Sequence, residues 1–228
     1  FYFTFSGPMS GGEVFRYVEL VDDTGHAVPG AFRETELWSP DRTRFTLWLH
    51  PGRQKTGVNL NEEEGPVLRE GKSYTLRLLN GLTGAGGGPL MDVQQGQKTF
   101  VAGASDHTQP DARAWKRVPR DIRAGSTAQL RMEFDEPLDW AMLHDSLWIE
   151  SANGTHVPGS VSVEDSGLAW TFAPQNPWQP GSYTLLVNPA LEDLAGNNLA
   201  RTFEADVTRP AQPARDEKPV RLPFEVPP

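Results

Sequence analysis

Two acidic stretches of the chain carry the residue types that bind a hard cation. Asp135, Glu136 and Asp139 belong to the first stretch, and Asp193 and Asn197 belong to the second. Carboxylate and amide oxygens are the ligands that Ca²⁺ prefers, and a bound ion would relieve the repulsion between the carboxylates. The alternative is structural, because Asp and Asn side chains also close turns by hydrogen bonding to the backbone. The sequence leaves both interpretations open, and calcium is the one cofactor that we consider.

Tryptophan supplies a second kind of candidate chemistry, because a flat indole face can stack on a sugar ring. The chain has seven tryptophans. Trp170 lies in an alternating segment, and Trp38 and Trp48 flank another, so packing in the core or at strand corners accounts for most of them. Trp140, which follows Pro-Leu-Asp, is the ring that we predict to be available to a carbohydrate ligand.

An internal repeat predicts the elements that position these residues. The segment Phe5-Ser-Gly-Pro8 reappears in the second half of the chain as Phe134-Asp-Glu-Pro137. Further along, Tyr74-Thr-Leu76 reappears as Tyr183-Thr-Leu185. Because the matching blocks stay in the same order, we infer a tandem duplication. The repeated unit is too long for a solenoid repeat, so each copy is predicted to be a whole domain.

The first copy contains an insertion that spans 50–65, since matching residues of the two copies lie closer together in the sequence after this segment than before it. The insertion has a basic half, with Arg53 and Lys55, followed by an acidic half. We predict that Arg53 and Lys55 face the acidic loops of the second copy and stiffen the junction between the domains. Each such surface pair contributes only about 0–1 kcal/mol. The alternative is a solvated loop without a partner.

The local pattern throughout the chain is that of β-strands. Leu130, Met132 and Phe134 alternate with charged residues, and similar alternation recurs in both copies between glycine- and proline-rich turns. A period of two predicts antiparallel strands that are covered on one face only. The best helical candidate is the short segment 139–145.

These patterns divide the chain into domains. We predict β-sandwiches at 1–102 and 113–208, joined by a polar linker at 103–112. Residues 209–228 form a proline-rich tail. Its last part, 220–226, again alternates between apolar residues and other residues. That segment contains a proline, which is excluded from central strands, so we predict an edge strand on one of the sheets.

Composition excludes several classes of function. The formal charge of −9 argues against a nucleic-acid partner, because such proteins need a basic face. No apolar run is long enough to predict a membrane span. The chain has no cysteine, no Gly-x-Ser-x-Gly motif and no histidines at metal-ligand spacing. We therefore predict no enzyme and name no catalytic residue.

A resemblance to a known family joins these observations. The block Tyr183-Thr-Leu-Leu-Val187 with Leu191-Glu-Asp-Leu-Ala-Gly-Asn197 resembles the closing half of the SbsA-type bacterial Ig-like domain, a module of S-layer proteins. Phe134-Asp-Glu-Pro-Leu-Asp139 resembles its opening half. The resemblance implies an all-β fold of two tandem Ig-like antiparallel β-sandwiches with Greek-key connections. It also implies that the two acidic loops meet at one end of the second sandwich.

The resemblance implies a use as well. Modules of this kind serve as stalks, spacers or adhesive segments of secreted, periplasmic or cell-surface bacterial proteins. The chain opens inside an alternating segment, Phe1-Tyr-Phe-Thr-Phe5, so we expect a longer parent chain whose other domains are its partners. The alternative is an accessory module that binds carbohydrate or Ca²⁺ on an extracellular enzyme. Cell-envelope or extracellular glycan is then the expected ligand.

Overall fold

The computed structural model describes residues 1–55, 57–89, 96–119, 121–203 and 218–228. The chain divides into two compact units, unit 1 (Phe1–Ser105) and unit 2 (Asp106–Pro228). Each unit consists of two antiparallel sheets. This confirms the predicted all-β fold. No helix in the described ranges has the length and apolarity that crossing a bilayer requires.

Unit 1 has three strands in each sheet. One sheet has the order β1-β4-β3 and the other has the order β2-β5-β6. The strands of unit 1 are β1 (Tyr2–Thr4), β2 (Val18–Asp22), β3 (Leu37–Trp38), β4 (Arg44–Thr46), β5 (Ser73–Leu78) and β6 (Gln97–Val101). A 3-10 turn (Val14–Arg16) precedes β2, and the short helices α1 (Pro51–Gln54) and α2 (Asn59–Glu64) lie between β4 and β5.

Unit 2 has the same arrangement with one more strand. Its sheets have the orders β10-β11-β8-β7 and β13-β12-β9, which is the division of seven strands found in constant-type Ig sandwiches. The strands of unit 2 are β7 (Lys116–Val118), β8 (Leu130–Glu133), β9 (Leu147–Ser151), β10 (Gly159–Val163), β11 (Ala169–Pro174), β12 (Gly181–Val187) and β13 (Val220–Val226). The helix α3 (Trp140–Ser146) overlaps the predicted helical segment.

Alternation along the strands places one apolar row in each interior. In β5, Tyr74, Leu76 and Leu78 are buried while the intervening residues are partly exposed. Leu130 and Met132 do the same in β8. Unit 1 and unit 2 each have a separate cluster of buried apolar side chains. The two-layer architecture therefore follows from period-two patterning, with each sheet covering the apolar face of the other.

One tyrosine in each unit fixes the start of a central strand. The Tyr74 hydroxyl accepts a hydrogen bond from the backbone N–H of Arg69 at 2.9 Å. The Tyr183 hydroxyl donates to the carbonyl of Gln179 at 3.0 Å. A buried tyrosine bonded to the backbone just upstream is the tyrosine corner of Ig-like sandwiches. The matching tyrosines of the sequence repeat thus lie at equivalent places in β5 and β12.

The strand that closes each second sheet differs between the units. In unit 2, β13 pairs with β12 along its whole length, and Phe224 and Val226 are buried. Pro223 lies at the edge of the sheet, where no further strand needs its missing N–H. In unit 1, β6 pairs with β5 but Phe100 is its only residue that is not exposed. The segment 209–217 of the predicted tail lies outside the described residues.

The insertion forms structure of its own, namely α1 and α2. The guanidinium of Arg53 is buried and donates to the backbone carbonyls of Pro29, Glu64 and Gly65. These contacts tie the insertion to the body of unit 1. Helices as short as α1 and α2 are not stable alone, so the Arg53 contacts hold them in place.

The predicted linker 103–112 differs from the structure at its second half. Pro110 and Ala112 are buried, and the Gln109 side chain donates to the Asn198 carbonyl at 3.1 Å. Residues from Asp106 onward therefore belong to unit 2. The polar composition of this segment favoured a solvated linker. In the structure, side-chain hydrogen bonds as well as apolar contacts hold its second half against unit 2.

Candidate functional site

Three carboxylates, Asp106, Glu136 and Asp193, form an acidic loop cluster at one end of unit 2. The loop that follows β8 lies at its centre. The backbone N–H of Leu138 donates to the carbonyl of Gly167 at 3.0 Å, and the N–H of Asp139 donates to the carbonyl of Glu192 at 2.8 Å. Leu138 is fully buried beneath the loop. Gly167 has φ +70°, and a Cβ there would clash with the Leu138 carbonyl oxygen. Glycine is therefore required at this close approach.

The second part of the cluster is the turn from Asp193 to Asn197. Asp193 Oδ1 accepts hydrogen bonds from the backbone N–H groups of Ala195 and Asn197. Its Oδ2 accepts from the Asn197 side chain at 2.8 Å. Asn197 Oδ1 accepts from the Phe203 N–H at 3.0 Å. Both side chains are buried and close the turn, which is the structural role that the sequence left open.

Three carboxylates converge above this turn. Oxygen atoms of Asp106, Glu136 and Asp193 lie within 4.8 Å of one another. The Asn197 amide donates to the Asp106 carbonyl at 3.2 Å and so positions Asp106 beside the turn. Sequence reasoning missed Asp106, because it lies in the segment interpreted as a linker, far from Asn197 along the chain.

Burial and mutual repulsion change the ionisation of the cluster. Burial is the first cause that raises the pKa of Glu136 to about 7, and the charges of Asp193, Asp106 and Asp135 add to it. Burial also raises the pKa of Glu192, with the charges of Asp139 and Asp193 contributing. A cation would reverse both shifts, because it favours the ionised form of every carboxylate near it.

Two of the other residues predicted for calcium, Asp135 and Asp139, have different surroundings. Asp135 is exposed and acts on Glu136 only through its charge. Asp139 is the N-cap of α3, where its carboxylate accepts from the Met142 N–H at 2.8 Å. The cluster thus contains Glu136 and Asp193 of the five predicted ligand residues, together with Asp106. A third predicted residue, Asn197, is hydrogen-bonded to Asp193 and Asp106.

The remaining predicted site residues lie elsewhere. Trp140 is partly buried, and its ring contacts the His144 ring edge-to-face with centroids 4.8 Å apart. Trp48 is the more exposed tryptophan, at 50%. Arg53 is buried within unit 1, whereas Lys55 is exposed. The junction role of Arg53 and Lys55 stays a prediction.

Comparison with known proteins gives a family match for unit 2. Residues 106–208 match the family model described as bacterial Ig-like domain. No curated protein matches the chain. Among solved structures, a chimeric titin Z1Z2 carrying a KLER exogenous peptide from decorin is 14% identical, with a TM-score of 0.28, over 85% of this chain and 90% of that one.

A second structure, titin domains Z1Z2 in complex with telethonin, is 16% identical, with a TM-score of 0.24. The match covers 81% of this chain and 87% of that one. Strand pairing within each unit establishes the two-sheet fold. By sequence, residues 106–208 are similar to the bacterial Ig-like domain, and both units have the strand order of an Ig-like sandwich.

Proposed function

We propose that this chain is a non-catalytic Ig-like module that acts as a spacer or adhesive segment of a secreted or cell-surface bacterial protein. The similarity of residues 106–208 to the bacterial Ig-like domain supports the proposal. The shared strand order of units 1 and 2 extends that argument to both halves. The SbsA-type relationship and the tandem duplication are parts of the same proposal.

The similarity of residues 106–208 to the bacterial Ig-like domain is the observation that carries the proposal. Two loop carboxylates of unit 1 agree with it. Asp22 accepts from the hydroxyl and N–H of Thr24 and from the N–H of His26. Asp41 accepts from the Ser39 hydroxyl and from Thr43. These hydrogen bonds, first those of the Thr24 and Ser39 hydroxyls, hold the pKa values of both aspartates below their ordinary range. Both carboxylates therefore close turns and are not grouped into a ligand site.

Strand pairing also suits a module that transmits tension. In unit 2, β12 is hydrogen-bonded to β9 on one side and to β13 on the other. Both ladders must break before β12 can leave its sheet. The same central position belongs to β5 in unit 1, between β2 and β6.

Two measurements on the intact chain test this function. Protease treatment of intact bacteria that produce the parent protein should release the segment, while a cytoplasmic protein in the same cells stays protected. Force spectroscopy on the chain held between handles should show two separate unfolding events, one for each sandwich. Protection of the segment inside intact cells, or extension without any force peak, would contradict the proposal.

A second candidate function, calcium binding, is favoured by the acidic loop cluster. Its donors are all oxygen atoms, which fits Ca²⁺. Burial, together with the charges of the neighbouring carboxylates, raises the pKa of Glu136 to about 7. Asp106, Glu136 and Asp193 would supply the carboxylates. A bound ion would then brace the loops after β8 and β12 against each other.

Calcium titration of the thermal unfolding midpoint tests this candidate. Ca²⁺ should raise the midpoint of the wild-type chain, and EGTA should reverse the rise. Glu136→Gln should abolish it, while Asp23→Asn, an exposed carboxylate of unit 1, should leave it intact. No calcium-dependent rise, or an equal rise in Glu136→Gln, would reject the site.

A further inference from the structure

The outer face of the β1-β4-β3 sheet in unit 1 carries side chains that the proposed function does not use. Along and just beyond β4, Phe45 and Leu47 point inward and are fully buried. Arg44, Thr46 and Trp48 alternate with them and lie on the outer face. Trp48 is 50% exposed. This alternation places an exposed indole ring and a partly exposed guanidinium, whose Nε is buried, on the same outer face.

Two arginines stack on aromatic rings across this surface. The Arg44 Cζ lies 5.6 Å from the centroid of the Tyr2 ring, and the Arg33 Cζ lies 5.7 Å from the Trp48 ring. Tyr2 shares the face because it pairs with Thr46 of β4. Arg33 lies beside Trp48, since its N–H donates to the Trp48 carbonyl at 3.0 Å. We call Tyr2, Arg33, Arg44 and Trp48 the cationic face.

The arginines of the cationic face form no ion pair with any carboxylate that the structure describes. Within the described part of the chain, neither Arg33 nor Arg44 forms an ion pair, although the protein has a net charge of −9. An arginine stacked on a ring keeps its in-plane N–H donors free to bind a carboxylate with two hydrogen bonds. The face therefore combines anion recognition with flat aromatic surface.

The corresponding face of unit 2 shows that this combination is not a consequence of the fold. Arg131 stands at the position of Tyr2 when Phe134 is matched with Phe5. Ala173, which follows the counterpart of Leu47, stands at the position of Trp48. Arg131 is paired with Glu164 at 2.6 Å and with Glu133 at 3.3 Å. The same sheet face is thus self-neutralised in unit 2.

We propose that the cationic face of unit 1 binds an acidic polysaccharide whose sugars carry carboxylates. The carboxylates pair with Arg33 and Arg44, while the C–H face of a sugar ring packs on Trp48. Along an extended segment, the distance from Arg44 to Trp48 is about 13 Å. An open surface of that length fits several sugars of a linear polymer rather than one monosaccharide. The inference does not depend on the spacer role or on calcium.

Binding of polygalacturonate to the whole chain tests the inference, with neutral dextran as the uncharged comparison. Affinity electrophoresis and titration calorimetry measure the dissociation constant. Trp48→Ala should weaken binding at least about fivefold, because the stacking contact of the ring is lost. The double variant Arg33→Gln/Arg44→Gln should weaken it further and remove most of its salt dependence.

Matched control variants come from the other unit and from the tryptophan that the sequence favoured. Arg131→Gln and Trp140→Ala should both bind polygalacturonate like the wild type. The unfolding midpoint of every variant should stay well above the temperature of the binding assay, so that binding is compared between folded proteins.

Several results would overturn the inference. These are no binding of polygalacturonate, equal binding of dextran, equal weakening by the control variants, or equal binding of polyglutamate, which would indicate an acidic peptide as ligand. The protease and force measurements above are unaffected by such a failure, so the two proposals fail separately.

Discussion

The loop ends of units 1 and 2 share one backbone frame but carry different side chains. In unit 1, Met9 bridges to Gly84, and the N–H of Ser10 donates to the Thr83 carbonyl at 3.0 Å. Unit 2 repeats both contacts. There the bridge joins Leu138 to Asp193, and the hydrogen bond from the Asp139 N–H to the Glu192 carbonyl measures 2.8 Å.

The charged side chains on this frame differ between the units. When the repeated blocks are matched, Gly7 and Gly84 of unit 1 stand where Glu136 and Asp193 stand in unit 2. The acidic loop cluster is therefore absent from the described loops of unit 1, while the cationic face is absent from the described part of unit 2. The backbone contacts and the buried apolar row define the sandwich in both units. The surface side chains can therefore differ without changing the fold.

The largest expected difference between the units concerns their closing strands. Phe224→Ala should lower the free energy of unfolding of unit 2 by about 3–5 kcal/mol, because it removes a buried ring that stacks on Tyr183 and meets Trp178 edge-to-face. Phe100→Ala in β6 should cost unit 1 less, about 1–2 kcal/mol, since Phe100 is only partly buried.

Urea unfolding of the whole chain, with hydrogen exchange and mass spectrometry to assign each transition, measures both losses. Each variant should move the transition of its own unit only. Equal losses in the two variants would contradict the view that β13 is anchored more deeply than β6.

The insertion gives the next largest effect. Arg53→Met should lower the free energy of unfolding of unit 1 by about 2–3 kcal/mol, because the carbonyls of Pro29, Glu64 and Gly65 lose a buried charged donor. Lys55→Met, an exposed neighbour in the same insertion, should change it by less than about 0.5 kcal/mol. The same urea and exchange measurements apply, and similar values for the two variants would argue against the Arg53 anchor.

A rise in pH should lower the free energy of unfolding of unit 2 through Glu136 and raise that of unit 1 through Asp22 and Asp41. The folded-state pKa of Glu136 is raised from 4.5 to about 7, so the free energy of unfolding of unit 2 should fall as pH rises through that range. Glu136→Gln should reduce this decline, leaving the part that comes from Glu192, and should exceed the wild type by about 1–2 kcal/mol at pH 8, after allowance for solvent screening. At pH 4 the two proteins should be equally stable.

Unit 1 supplies the contrast for this prediction. The lowered pKa values of Asp22 and Asp41 contribute stability that is present above their ordinary range and lost as pH falls through the folded-state values. Thermal unfolding of wild type and Glu136→Gln between pH 3 and pH 8 measures both trends. If wild-type unit 2 is as stable at pH 8 as at pH 4, ionisation of Glu136 does not destabilise the acidic loop cluster and the prediction is wrong.

The smallest effect belongs to the paired surface charges of unit 2. Arg131→Gln should cost at most about 1 kcal/mol, because its partners Glu133 and Glu164 are largely exposed. The loss should vanish at about 1 M salt, where the screening length is about 3 Å. A loss that persists at high salt would show that Arg131 contributes packing rather than charge.

Periodicity predicted most of the framework. The alternation in β5 and β8 identified buried rows correctly, because a one-residue shift would expose every apolar side chain of the strand. Matching the repeated blocks placed Tyr74 and Tyr183 at equivalent positions in β5 and β12. The same alternation also puts Trp48 on the outer face, which was the available signal for the cationic face.

Contacts between distant polar residues were beyond this reasoning. Asp106 joins the acidic loop cluster because its carbonyl accepts a hydrogen bond from Asn197. Local sequence patterns do not predict a contact between residues so far apart in the chain. The helices of the insertion depend on the buried Arg53, whose charge favoured a surface role in the sequence. The sequence analysis also did not predict that the Asp139 carboxylate caps α3.

The position of β13 has a practical consequence for work on isolated fragments. The similarity to the bacterial Ig-like domain ends at residue 208, whereas the strand that seals β12 spans Val220–Val226. A fragment cut at residue 208 would leave the hydrogen-bonding edge of β12 and the ring of Tyr183 uncovered. Such an edge invites pairing with a neighbouring molecule, so a shortened fragment should aggregate where one that extends through Val226 stays dispersed.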